Sequence, residues 1–466
     1  MDLDIAKVEQ RTQAIGRELM TAVQRRRPWA FSAAGVEEHL MAVLMSDPAL
    51  RVQMLRFVDV YPSLKSSRQI QNHIGQYFEA AEHEESSSSS PTPLIARLAR
   101  WSGTLAGRGW FPARLSAWLS RFAVKHMARR FIVESDAIKS LRSLESRGCL
   151  FTLDVLGEAV HSSAEAAAFQ QQYLDLVTKL PQTLGREVNE SKCGPRVNLS
   201  VKLSALTSHF DPMCWKSAAE EIQQRLRPIL RAAIQHHVFI NIDMEHYAVR
   251  DMTWQILRDT LDEEEFRNFE EIGIVVQSYL CDAPAHQQAI LDWLEDRGRR
   301  MTIRLVKGAY WDSEQIWSRQ HGWPIPVLLD KAETDAQCER MVQQLLAHRH
   351  LVRTALGSHN IRTIARTLAL ADEMDVPEGC LEFQVLHGMG DVLSQVLTER
   401  GLPVRVYVPW GQLIPGMSYL VRRLLENTSN ESFLRQMGQS NVPAESLLRD
   451  PLTVRIDKHN QERTAA

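Results

Sequence analysis

From Gly148 onward the chain repeats one pattern eight times: a short apolar run rich in Val, Ile and Leu, then a segment with helical periodicity. The runs are Leu150 to Leu156, Val197 to Leu203, Val238 to Met244, Gly273 to Tyr279, Met301 to Val306, Val352 to Gly357, Leu381 to Val385 and Val404 to Val408. Continuous apolar strands separated by helices read as a parallel sheet, because each strand must be buried on both faces. Eight such units over roughly 280 residues match a closed (β/α)8 TIM-like barrel, whereas a doubly wound sheet rarely needs so many strands.

The sequence before the barrel has a different character. From Asp4 to about Ala81 apolar residues recur at helical spacing, as with Val36, Leu40, Val43 and Leu44. That region ends at Glu84, Glu85 and the run Ser86 to Ser90, followed by Pro91 and Pro93, a composition that favours an exposed linker. Between Leu94 and Arg130 there is no Asp or Glu, while arginines alternate with Trp101, Trp110, Trp118 and Phe122. Such a stretch suits either an anionic surface or a helical layer with its aromatics inward and its arginines solvated, and the packing reading is preferred. The expected organisation is a helical arm region over 1–85, a linker over 86–93, a basic helical domain over 94–147, the barrel over 148–436 and a tail over 437–466.

Composition removes several classes of function. Of 466 residues, 44% are hydrophobic and 24% charged, with a net charge of −3, which suits a globular protein and argues against a nucleic-acid partner. The six cysteines stand singly, with no zinc spacing, so a reducing cytosol and no metal are expected. MDLDIAKVEQ is acidic where a secretory leader would be basic, and no run supplies the roughly 18 uncharged apolar residues of a membrane span.

In a (β/α)8 barrel the active site forms at the carboxyl-terminal ends of the strands. Polar residues occupy every one of them: Asp154 and Glu158, Lys202, Asp243 and Glu245, Gln277, Arg304 and Lys307, Ser358, His359 and Asn360, Gln384 and His387, and Tyr407. Stray buried polar groups would explain one or two, not a full circuit. Small residues beside Lys307 in Val306-Lys307-Gly308-Ala309-Tyr310-Trp311 would let backbone amides approach a phosphate. Gly388-Met389-Gly390 lacks the third glycine and the context of a dinucleotide fingerprint. Tyr419, Arg422, Arg423 and Glu426 fall on one face of a helix, and paired guanidinium groups suit a small carboxylic acid.

These residues sit in motifs that occur in a fixed order: DVLGEA from Asp154, SVKLSAL from Ser200, NIDMEHY from Asn241, RLVKGAYWD from Arg304, SHN from Ser358, EFQVLHGMG from Glu382 and YLVRRLLEN from Tyr419. Together they resemble the proline dehydrogenase module of the bacterial proline utilisation flavoenzymes, over about 148 to 436. The preceding helices are similar to that family's arm and helical domains. The resemblance implies non-covalent FAD and oxidation of L-proline to 1-pyrroline-5-carboxylate by hydride transfer to the flavin. It implies a carboxylate clamp of Lys202, Arg422 and Arg423, with Arg304 beside the flavin N5 and Asp243 organising the cations. Tyr310, Leu386, Tyr407 and Tyr419 match the walls around the proline ring. Met244, Gln277, Val306, Lys307, Gly308, Ala309, Trp311, Ser358, His359 and Gln384 match positions that contact FAD, and Glu426 matches a supporting carboxylate. Ser358 stands where the family commonly has threonine, which keeps the hydroxyl.

The expected partners are L-proline and a quinone as electron acceptor. A separate pyrroline-5-carboxylate dehydrogenase, a homo-oligomer and peripheral contact with the inner face of the cell membrane are compatible with the sequence. Long relatives continue into an aldehyde dehydrogenase module or begin with a DNA-binding segment, and neither a second oxidation nor gene repression is expected of these 466 residues. The competing reading is a catalytically silent barrel that serves as a binding scaffold.

Overall fold

The computed structural model describes residues 3–26, parts of 56–76, 129–134, 137–157, 160–185, 193–412, 416 and 444–455. The basic stretch from Leu94 falls outside these residues except for Arg129 and Arg130, and so do the serine-rich linker, Glu158, Tyr419, Arg422, Arg423 and Glu426. The chain divides into two compact units, one of residues 1–23, 136–409 and 437–466, the other of residues 24–135 and 410–436.

The first unit holds eight parallel strands that close in sequence order into a barrel. They are β1 (Leu150–Val155), β2 (Asn198–Val201), β3 (Phe239–Ile242), β4 (Ile272–Gln277), β5 (Met301–Val306), β6 (Val352–Gly357), β7 (Leu381–Leu386) and β8 (Val404–Trp410). All eight expected runs are strands, and β5 and β6 have the expected bounds. The run at 197–203 gives a shorter strand because Leu203–Leu206 coils into a 3-10 turn after Lys202. Hydrophobicity marks burial, and Leu203 and Leu206 stay buried after the ladder has ended.

Helices alternate with the strands as the periodicity requires, and several begin on caps that the sequence supplies. Ser162 accepts a hydrogen bond from the Glu165 amide at the start of helix Ser163–Leu184, and Asp330 accepts one from the Ala332 amide before Lys331–Ala347. Asn360, expected among the functional strand-end residues, accepts the Thr363 amide at 3.3 Å and so caps Ile361–Glu373. An oxygen at this position satisfies a backbone donor that the helix itself leaves unpaired.

The amino-terminal helix Ile5–Arg25 buries Val8, Thr12, Ile15, Leu19 and Val23, a spacing that keeps them on one face. Glu9 forks onto the buried Arg362 at 2.5 and 2.8 Å, and Arg362 also holds Glu339 at 3.0 Å. Gly16 lies against Leu448, where a Cβ would stand only 2.6 Å from a side-chain methyl. A helix far from the barrel in sequence is thereby fixed to it by both charge and close packing.

Candidate active site

Alternation along each strand sends every second side chain into the barrel. Just past β2 and β3, and on β5 and β8, that rule aims Lys202, Asp243, Arg304 and Tyr407 inward toward the carboxyl-terminal end, and the structure brings all four together. Asp243 Oδ1 accepts from Arg304 Nη1 at 2.9 Å, and its Oδ2 accepts from the Tyr407 hydroxyl at 2.8 Å and from Lys202 Nζ at 3.4 Å. The Arg304 guanidinium carbon lies 5.4 Å from the Tyr407 ring centroid.

Four further side chains complete the cluster. Asp154, at the end of β1, forms an ion pair with Lys202. Ser200 accepts a second bond from Arg304 Nη1 at 3.1 Å, and Asn241 donates to Asp243 Oδ1 at 3.2 Å. Tyr173, on helix Ser163–Leu184, receives the Lys202 backbone N–H at 3.4 Å. Sequence reasoning missed Ser200, Asn241 and Tyr173 as members of the site. Ser200 and Asn241 lie one inward step below Lys202 and Asp243, so alternation could have found them, but nothing around Tyr173 sets it apart from other helix residues.

Charge explains the cluster's protonation. Burial alone would raise the Asp243 carboxyl, but the neighbouring Lys202 and Arg304 hold it below the usual carboxylate range. Burial would strip the Lys202 ammonium of its proton, yet Asp154, with Tyr407 and Asp243 adding to it, lifts its pKa well above the ordinary value. Burial, reinforced by both carboxylates, raises the Tyr407 phenol, which therefore remains a donor. Asp154 is pushed up to about 6, chiefly by burial, with Lys202 opposing and the Asp243 charge adding to the rise.

Around this centre lie the other expected residues. Gln277, at the end of β4, donates to the Met244 and Glu245 carbonyls at 3.2 and 3.0 Å, while its Oε1 is buried with no partner among the described residues. The segment after β5 is tied down by Ser278 N donating to the Val306 carbonyl at 2.8 Å and Tyr279 N donating to that of Lys307 at 2.7 Å. Gly308 has a φ of 143°, and a Cβ there would fall 2.4 Å from the Tyr279 ring, so only glycine fits. Ala309, next to it, is exposed. Lys307 pairs with Asp335 at 2.5 Å, a carboxylate shared with Lys331 at 2.9 Å. Tyr310 is buried against the His246 ring, centroid to centroid 4.1 Å.

Trp311 is 40% exposed and its indole N–H donates to the Leu328 carbonyl at 2.8 Å. Across β6 and β7, His359 Nε2 accepts the Leu386 amide at 3.0 Å, which leaves the ring proton of the neutral form on Nδ1. The Ser358 hydroxyl accepts the Asn360 amide at 3.1 Å, and Gln384 donates to Glu382 at 2.5 Å. Among the described residues no group of His, Cys, Asp and Glu is arranged to hold a metal ion.

The opposite end of the barrel is also polar, but closed on itself. Cys193, Arg353, Cys380, Glu382 and Arg405 line a cavity there. Arg405 forks onto Glu382 at 2.9 Å and gives its remaining donors to the Phe151 and Cys193 carbonyls, while Arg353 pairs with Glu271 at 2.7 Å.

A family model described as proline dehydrogenase matches residues 137–436, and one described as the proline utilization A N-terminal domain matches residues 9–131. The chain is 33% identical over 351 residues to the bifunctional protein PutA of Escherichia coli (strain K12), covering 73% of this chain but 26% of that protein. It is 31% identical over 326 residues to proline dehydrogenase 1 of Bacillus subtilis (strain 168), covering 69% of this chain and 93% of the relative. Among solved structures, proline utilization A from Bdellovibrio bacteriovorus, inactivated by N-propargylglycine, gives a TM-score of 0.84 at 34% identity over 95% of this chain and 44% of that one. With a family match across the whole barrel and a relative matched over nearly its full length, the chain belongs to the proline dehydrogenase family.

Proposed function

We propose that this chain oxidises L-proline to 1-pyrroline-5-carboxylate with FAD bound at the carboxyl-terminal end of the barrel. The observation that carries the reading is the buried cluster of Lys202, Asp243, Arg304 and Tyr407, whose charges are desolvated at the one end of the barrel where such folds do chemistry. Desolvated charges cost several kcal/mol per ion unless they are paired, and here the paired cluster also leaves Arg304 Nε and Asp154 Oδ2 buried with no partner among the described residues.

The residues present fit a flavin. Gln277 Oε1 and Arg304 Nε are buried polar atoms without a partner among the described residues, the one an acceptor for a ring N–H and the other a donor for a ring nitrogen or oxygen. Gly308 and Ala309 leave the backbone accessible beside Lys307. Met244, Val306, Trp311, Ser358, His359 and Gln384 complete the cofactor positions, with Glu426 as a supporting carboxylate. When bound, the flavin accepts the hydride from the proline ring carbon next to nitrogen.

The protein's part is to position and to hold charge. Lys202, Arg422 and Arg423 clamp the substrate carboxylate, and this fixes the ring so that the reacting carbon needs no further search. Tyr310, Leu386, Tyr407 and Tyr419 wall the ring and keep water from it. Arg304 supplies a positive charge where electron density accumulates, and Asp243 keeps that guanidinium and Lys202 from repelling each other. The electrons leave to a quinone. Absorbance spectra of the purified protein before and after anaerobic L-proline test cofactor and substrate together: a flavin spectrum that bleaches supports the reading. A protein that binds no flavin, or whose flavin ignores proline, supports the scaffold instead.

A further inference from the structure

Asp154 is the more enclosed of the two carboxylates in the cluster, 1% exposed against 7% for Asp243. Its Oδ1 is the near partner of Lys202 Nζ, and its Oδ2 is buried with no partner among the described residues. Asp243 is the weaker counter-ion for that ammonium. It stands 3.4 Å away, and its two oxygens are already engaged by Arg304, Asn241 and Tyr407. We propose that Asp154 is a positioning residue for proline oxidation, one that keeps the Lys202 ammonium charged and aimed at the substrate carboxylate.

The inference rests on the proline-oxidising reading of this site. A lysine is a point charge on a flexible four-carbon stem, so its position is set by what holds the ammonium. A buried lysine that loses its counter-ion tends to lose its proton too. Without the Asp154 charge, Lys202 either neutralises or moves over to Asp243, and both changes weaken its hold on an anion. The titratable groups that face Asp154 are Lys202 at the end of β2, Asp243 at the end of β3, Tyr407 on β8 and Tyr173 on helix Ser163–Leu184. Lys202 and both phenols are raised, and Asp243 is lowered. Among these groups only Asp154, pushed up to about 6, changes charge in the mildly acidic range. Below that pH it is neutral and Lys202 is poorly held; above it the hold is complete.

The test measures kcat and KM for L-proline in FAD-loaded wild type, Asp154→Asn and Asp154→Glu from about pH 5.5 to about pH 8. Calorimetry with cyclopentanecarboxylate, a ring carboxylate without the reacting amine, gives a binding constant free of turnover. Asp154→Asn is expected to raise both KM and the cyclopentanecarboxylate Kd by about tenfold or more above neutral pH, with kcat changed much less. The rise of KM toward acid seen in the wild type should vanish in Asp154→Asn, and Asp154→Glu should recover much of the affinity together with the pH dependence. Values for Asp154→Asn within about twofold of wild type, or equal damage in both variants, would overturn the proposal. If Asp154→Asn does not fold, a wild-type KM and Kd that stay flat from pH 5.5 to 8 would overturn it equally. A wild type that binds flavin but does not oxidise proline strikes the functional reading instead, and the calorimetric comparison still decides the role of Asp154.

Discussion

Asp243→Asn changes one charge at the point where two cations and a phenol converge. The asparagine oxygen can still accept from Arg304 Nη1, now at 2.9 Å from Asp243 Oδ1. Its amide nitrogen then faces the Tyr407 hydroxyl and Lys202 Nζ, which approach Oδ2 at 2.8 and 3.4 Å, so the phenol must give up its donation to accept and the ammonium meets a donor. Hydrogen bonds to charged groups are worth about 1.5–3 kcal/mol, roughly twice their neutral counterparts. Loss of charge on the Arg304 side then costs about 1 kcal/mol, and loss of the Oδ2 contacts about 1.5–3 kcal/mol more. At 1.36 kcal/mol per power of ten, kcat/KM for L-proline should fall by roughly two to three powers of ten. The assay is steady-state kinetics per bound flavin, together with Arg304→Met and the double variant. Because the two side chains share a contact, the double variant should be about 1 kcal/mol or more less damaged than the sum of the singles. A fall of less than about fivefold at full flavin occupancy, or additivity within about 0.5 kcal/mol, would refute this account of Asp243.

Arg422→Met or Arg423→Met should raise KM for proline while flavin content stays normal, each lost contact costing about 1.5–3 kcal/mol; unchanged kinetics in both would remove the clamp. The wild type should prefer proline over 4-hydroxyproline by about tenfold or more, because the Tyr407 ring is held by Asp243 and an added hydroxyl would overpack against it. Tyr407→Ser should narrow the ratio of the two kcat/KM values, and an unchanged ratio would mean that this ring does not face the substrate. Arg405→Met should destabilise the barrel by about 3–5 kcal/mol in urea titrations, since it strands the buried Glu382. A deficit that persists undiminished in Glu382→Leu/Arg405→Met would count against the pair.

The barrel was legible because its signal is repeated and physical: eight apolar runs must each be buried on both faces, and the structure closes all eight in order. Strand ends were less legible, since Leu203 and Leu206 are as apolar as the residues of β2 but leave the ladder. The centre of the site was legible where two rules coincided, strand ends and inward alternation, and Lys202, Asp243, Arg304 and Tyr407 satisfy both. Asn360 satisfied the first rule only, and its side chain serves a helix start. Tyr173 could not be found, because its role depends on how a helix packs over β2, and no local pattern records that. The cap residues Ser162 and Asp330 show the reverse case, where chemistry is local and sequence suffices.

Buried ion pairs occur at both ends of this barrel, so burial of charge alone does not locate the chemistry. What separates the ends is how fully each charge is spent. At the amino-terminal end Arg405 divides its donors between Glu382 and two backbone carbonyls, and Arg353 is matched to Glu271. Those groups have no charge left to offer a ligand, and their work is to close the barrel floor. At the carboxyl-terminal end Gln277 Oε1, Arg304 Nε and Asp154 Oδ2 are buried polar atoms with no partner among the described residues. Each costs about 1–3 kcal/mol in the protein alone, and because Thr354 Oγ1 in the cavity at the other end is also buried with no partner among the described residues, that cost alone marks no site. Their position, on three strands around one paired cluster, makes that end the place where an added cofactor and substrate gain most from binding.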